Sequence, residues 1–114
     1  MFNLGRKGKN DIKSLDALEL IAENESNTNF VIIDVRSPEE YVENHIEKAK
    51  NINYSRNFEK EIEKLDKNKK YLIYCRSGHR SSNAMKIMLK SGFTDIYNLS
   101  GGIRKWKTNG LPLV

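Results

Sequence analysis

The segment YLIYCRSGHRSS, residues 71–82, carries the one cysteine of the chain. Apolar residues precede Cys75, whereas Arg76, Ser77, Gly78, His79, Arg80 and Ser81 follow it. A buried structural cysteine would have apolar neighbours on both sides. The nucleophilic form of cysteine is the thiolate, and its population is set by nearby positive charge and hydrogen-bond donors. Arg76 and Arg80 supply the charge, and a sharp turn at Gly78, which tolerates positive φ, turns several backbone N–H groups inward. A helix starting about six residues after Cys75 adds the positive end of its dipole to the same nest. Such surroundings lower a cysteine pKa from about 8.5 into the range of roughly 3.5 to 7.5. The chemistry to expect is therefore that of a nucleophilic Cys75 thiolate in an anion-binding loop.

Asp34 and Arg36 end an apolar run, FVIIDV, where they would support the cysteine loop. For Arg36 the competing reading is an ion pair with Glu39 or Glu40 in its own segment. His79 points to solvent on this reading, because a thiolate needs no general base. His45 is expected to be a structural histidine satisfied by backbone groups, Trp106 to pack in the core, and Met85 and Met88 to be ordinary helix residues. One cysteine allows no internal disulfide, and with two histidines it makes no zinc pattern, so no metal is expected.

These residues need a scaffold. FVIID and YLIYC read as buried parallel strands, with KNIN as a minor strand and DIYNL as a third candidate. Ser14 reads as the N-cap of a helix with Leu15, Leu18 and Ile21 on one face. Pro38 opens a second helix with carboxylates in its first turn. Residues 55–65 repeat Phe58, Ile62 and Leu65 at helical spacing. A further helix over SSNAMKIMLKSG presents Ala84, Ile87 and Met88 and stops at Gly92, and GGIRKW turns into a last short one. Strands alternating with helices predict an α/β fold with an open, mainly parallel sheet flanked by helices. In such sheets, sites form beyond the carboxyl ends of strands, where DVRSPEE and CRSGHRSS both fall. Residues 1–10 read as a flexible N-terminal arm and residues 11–114 as a single domain.

The 114 residues suit one core. A 38% hydrophobic and 31% charged composition fits a globular chain rather than a disordered one. The net charge of +5 suits a small anionic substrate. The lysines, however, are mixed with glutamates in FEKEIEKLDKNKK and the aromatics do not interleave with a basic stripe, which argues against nucleic acid. No segment approaches membrane-spanning length or a signal peptide, so no membrane partner and a cytoplasmic location are expected.

The cysteine loop CRSGHRS resembles the active-site loop of rhodanese-type sulfurtransferases, and two further segments agree. IIDVRSPEEYVENHIEKAKNIN is similar to the family's Asp-Val-Arg stretch and the Gly-His-Ile…Ala-x-Asn-Ile-Pro that follows. YNLSGGIRKWKTNGLPL is similar to its Leu-x-Gly-Gly-Ile…Trp…Gly-x-Pro ending. The likeness runs from about Asp11 to Val114 and departs where Asn44, Lys48 and Asn53 replace two glycines and a proline. It implies a rhodanese-like fold and a two-step reaction. Cys75 takes a sulfane sulfur from a small anionic donor such as thiosulfate and holds it as a persulfide, with no other cofactor. The sulfur then passes to cyanide or an external thiol. Arg76 and Arg80 would attract the donor and offset charge on the leaving group. The alternatives are a carrier that delivers sulfur to an acceptor protein, an idle binding module, and a phosphatase or arsenate reductase of the same fold. The last group spaces cysteine and arginine by five residues, whereas Arg80 follows four after Cys75.

Overall fold

A computed structural model describes residues 10–114. Apolar runs at FVIID and KYLIY form the middle of a five-stranded sheet, as β2 (Phe30–Asp34) and β4 (Lys70–Tyr74). They are flanked by β1 (Asn10–Ile12), β3 (Lys50–Asn51) and β5 (Ile96–Leu99). All pairings are parallel, in the order β1-β5-β4-β2-β3, so β2 and β4 are neighbours with Asp34 opposite Tyr74. Burial on both faces explains why these strands are continuously apolar rather than alternating.

Side chains alternate between the two faces with the strand period of two. Ile32, Leu72, Tyr74, Tyr97 and Leu99 pack beneath α1 (Ser14–Glu23) and α5 (Gly102–Thr108), which contribute Ala17, Leu20, Ile103 and Trp106. Ile33, Tyr71, Ile73 and Ile96 face α3 (Phe58–Ile62) and α4 (His79–Lys90), through Phe58, Ile62, Ala84, Met85 and Met88. Cys75 continues the second set and is itself buried. The short α2 (Pro38–Glu43) follows β2 and buries none of its residues fully.

The α/β fold with a parallel sheet is as expected, and the differences are local. Residues 1–9 of the expected arm lie outside the described residues, but Asn10 opens β1, an edge strand too short to leave a periodic signal. Lys13, not Ser14, stands at the N-cap of α1, with no side-chain cap bond. The buried face of α1 is Ser14, Ala17 and Leu20, and Leu15 is exposed. Burial there follows the small residues that let α1 lie close to the sheet. In α4 the buried face takes Met85, with Ile87 only partly covered. The helix expected over 55–65 is confined to α3, where Phe58 and Ile62 anchor one turn.

Two substitutions relative to the family pattern have different consequences. Asn44 has φ of −169°, extended backbone that any residue adopts. Lys48, in contrast, takes φ of +72°, a left-handed conformation that glycine would enter without steric cost.

Candidate active site

β4 delivers Cys75 to the carboxyl edge of the sheet, and the chain turns at once into α4. The turn passes through Gly78, at φ of +103°, which is the N-cap residue of α4 and offers no side chain to cap it. The sulfur of Cys75 occupies that role. Its Sγ accepts from the Gly78 N–H at 3.1 Å, and from the Ser81 N–H and Ser81 Oγ, each at 3.4 Å. α4 therefore begins at His79, earlier than the spacing suggested, and His79, Arg80 and Ser81 form its first turn. Burial alone would push the thiol pKa up. The Ser81 hydroxyl and the N–H groups of Ser81, Gly78 and Ser77 outweigh it and hold the thiol below its ordinary value.

A second glycine turn fixes the loop from behind. The N–H groups of Ile103 and Arg104, at the start of α5, donate to the carbonyls of Cys75 and Arg76 at 2.9 and 3.0 Å. Since C=O and N–H of a trans peptide point oppositely, this directs the Ser77 N–H away from α5 and back towards the sulfur. The approach requires Gly102: a Cβ there would stand 2.6 Å from the Cys75 carbonyl oxygen, on a backbone at φ of +60°.

The two arginines of the loop have separate situations. Arg76 is exposed. Arg80 turns to α2 and donates from both terminal nitrogens to Glu40, at 2.9 and 3.1 Å. That guanidinium holds the Glu40 carboxyl down at about 2, against the opposing effect of burial. Glu40 also closes a capping box: the Ser37 N–H donates to its carboxylate at 3.0 Å, and the Ser37 hydroxyl accepts from the Glu40 N–H at 3.2 Å. One carboxylate thus joins the start of α2 to the start of α4.

Asp34 and Arg36 lie at the end of β2, next to the cysteine strand. Arg36 does not pair with Glu39 or Glu40, as one reading had it. Its Nη2 donates to Asp34 at 2.7 Å and to the Asn44 carbonyl at 2.6 Å, and its Nε to Asp34 at 3.0 Å. Both side chains are buried, with the guanidinium 5.7 Å from the Tyr74 ring centre. Burial would lower the Arg36 pKa, but the Asp34 hydrogen bonds and charge raise it. Burial and the Asp34 charge also push the Tyr74 hydroxyl up, and that hydroxyl accepts from the Ile46 N–H at 3.0 Å.

His79 is exposed. His45 stacks on Tyr41 at 3.9 Å, its Nδ1 2.8 Å from the Tyr41 carbonyl oxygen. Trp106 is buried and donates to the Pro112 carbonyl at 2.9 Å. Sequence reasoning missed Glu40 and Gly102. The Ser37-x-x-Glu40 spacing was visible, but it speaks only of a helix cap; nothing local points it at residue 80.

The fold and site together define a parallel α/β domain with a cysteine nucleophile held in a ring of N–H donors at a strand-to-helix turn. The family profile described as Rhodanese-like domain matches residues 16–109, and the chain belongs to that family. It is 34% identical over 98 residues to the thiosulfate sulfurtransferase GlpE of Coxiella burnetii, covering 86% of this chain and 87% of the relative. It is also 34% identical to the putative sulfurtransferase YtwF of Bacillus subtilis, covering 90% and 97% of the two chains. Among solved structures, a rhodanese-related protein from Thermoplasma volcanium superposes with a TM-score of 0.78 at 29% identity, covering 93% of this chain and 98% of that one. Among the described residues, no helix is long and apolar enough to cross a membrane.

Proposed function

We propose that the protein is a sulfurtransferase in which Cys75 carries sulfane sulfur between a small anionic donor and an acceptor outside the chain. The observation that carries this reading is the Cys75 sulfur itself, which takes the capping position of α4 and accepts from Gly78 and Ser81. In the first step the Cys75 thiolate attacks the outer sulfur of thiosulfate. The sulfur–sulfur bond of the donor breaks, and sulfite leaves with the bonding pair. In the second, cyanide or an acceptor thiolate attacks the terminal sulfur of the persulfide, and the Cys75 thiolate is released. The donors that hold the resting thiolate suit it as leaving group in the second step, so one cradle serves both.

Arg76, exposed beside the nucleophile, is the residue we assign to drawing in the anionic donor. Arg80, held by Glu40, positions the start of α4. Sulfur rides on the protein's own side chain, so the reaction as proposed needs no cofactor. Cys75 is the only cysteine of the chain, which leaves no internal thiol to discharge the persulfide. A lone thiol that must stay reduced suits a reducing compartment, and we place the protein in the cytoplasm on that ground. The same-fold phosphatase reading finds less support, because Arg80 is engaged by a carboxylate rather than free to clasp a tetrahedral anion.

Steady-state kinetics with thiosulfate and cyanide test the proposal. The expected result is a ping-pong pattern, lost in Cys75→Ser. Cys75-dependent hydrolysis of an aryl phosphate, without thiocyanate formation, would overturn it.

A further inference from the structure

The reacting sulfur needs little room, yet a groove of about 420 Å3 begins at Arg76 and runs between α2 and α5. Small organic ligands occupy cavities of roughly this size, and an inorganic donor would leave most of it to water. The groove lies beside the thiol rather than over it, as a subsite for the unreactive part of a substrate would. A second hollow of about 430 Å3 lies near the start of β2, by Asn24, Lys48 and Lys69, away from Cys75.

The groove's charges are sorted by wall. Arg36 is neutralised by Asp34, and Glu40 by Arg80, at 2.7 and 2.9 Å. What remains on the loop and α5 side is Arg76, Arg104 and Lys107, all exposed, and on the α2 side Glu43, also exposed. Among the described residues none of these four makes an ion pair. Three cations facing one carboxylate match a ligand that is anionic overall but carries an ammonium group at one end.

We propose that this groove binds the body of a small peptide-like thiol with more carboxylates than ammonium groups, serving as sulfur acceptor or, as its persulfide, as donor. Its carboxylates meet Arg76, Arg104 and Lys107, its ammonium meets Glu43, and its sulfur reaches Cys75. The proposal rests on the sulfurtransferase reading and names the substrate class of that same site. The groove is concave and of small-molecule size, which favours a free thiol over an acceptor protein.

The test separates recognition from chemistry. The full chain with Cys75→Ser is titrated with S-methylglutathione, which has the required charges and cannot react, while amide shifts are followed by NMR. Saturable shifts at Arg76, Arg104 and Glu43 are expected. Exposed charge pairs are individually weak, so reversing two on one wall, in Arg104→Glu with Lys107→Glu, should weaken binding about tenfold. Glu43→Gln should weaken it a few-fold for the free amine and leave the N-acetylated ligand unaffected. Absence of saturable shifts, or equal affinity for the charge-reversed protein, would overturn the proposal even where wild-type Cys75 gains sulfur from thiosulfate. Binding as expected without any persulfide would refute the sulfur chemistry instead. Discharge of the persulfide by an acidic acceptor protein, with no S-methylglutathione binding, would assign the groove to that protein and overturn the small-thiol class.

Discussion

The adjacent ends of β2 and β4 start alike and finish differently. Each is a buried apolar strand that runs into polar residues at the same edge of the sheet, with Asp34 level with Tyr74. At the end of β2, Asp34 and Arg36 exhaust most of their donors and acceptors on each other, Asn44 and Asn51, and both are sealed from water. At the end of β4, a single sulfur takes several N–H and O–H donors that have no other assignment. Saturated polar groups make a buttress. Donors converging on one ionisable atom make a reactive site. The contrast separates residues whose loss should unfold the protein from residues whose loss should silence it.

Cys75→Ser tests the reactive end most severely: sulfur transfer should fall to background while the unfolding midpoint in urea moves little. At the buttress, Asp34→Ala strands a buried guanidinium, so unfolding free energy should drop by about 3–5 kcal/mol, measured by urea titration. If Asp34→Ala instead left stability intact and abolished only turnover, the division between the two strand ends would be wrong. Ser81→Ala removes the hydroxyl donor from the sulfur. The Cys75 pKa should rise, and alkylation by iodoacetamide at neutral pH should slow several-fold.

Glu40 sharpens the comparison through pH. Its folded pKa of about 2 lies below the ordinary carboxylate value, so it contributes stability above its unfolded pKa. That contribution should disappear as pH falls from about 4.5 towards 2. Both partners are about a third exposed, and solvent screening reduces the effect to about 1 kcal/mol. Urea titrations of wild type and Glu40→Gln should therefore differ at pH 7 and converge near pH 2. The smallest effect belongs to Lys48→Gly: relief of the left-handed backbone, offset by a more flexible unfolded chain, should stabilise by about 0.5–1 kcal/mol.

Much of this molecule is legible in the sequence, for physical reasons. Strands buried on both faces write themselves as apolar runs, and FVIID and YLIYC both do. A reactive cysteine needs donors close in the chain, so CRSGHRS carries its chemistry locally. What the sequence hides is pairing at a distance. Arg80 and Glu40 are forty residues apart, and nothing near Arg80 says that its charge is taken. The same holds for Gly102, whose lack of a side chain matters only because the Cys75 and Arg76 carbonyls lie against it. The edge strand β1 was missed because three residues paired on one side leave no period to read.

The central claim is that the Cys75 sulfur, held as an anion at the start of α4, accepts and carries a second sulfur. Intact-protein mass spectrometry after brief incubation with thiosulfate tests it most directly. The wild-type chain should gain the mass of one sulfur atom, lose it again on addition of cyanide, and show neither change as Cys75→Ser. An unchanged wild-type mass, or a gain that survives in Cys75→Ser, would contradict the claim.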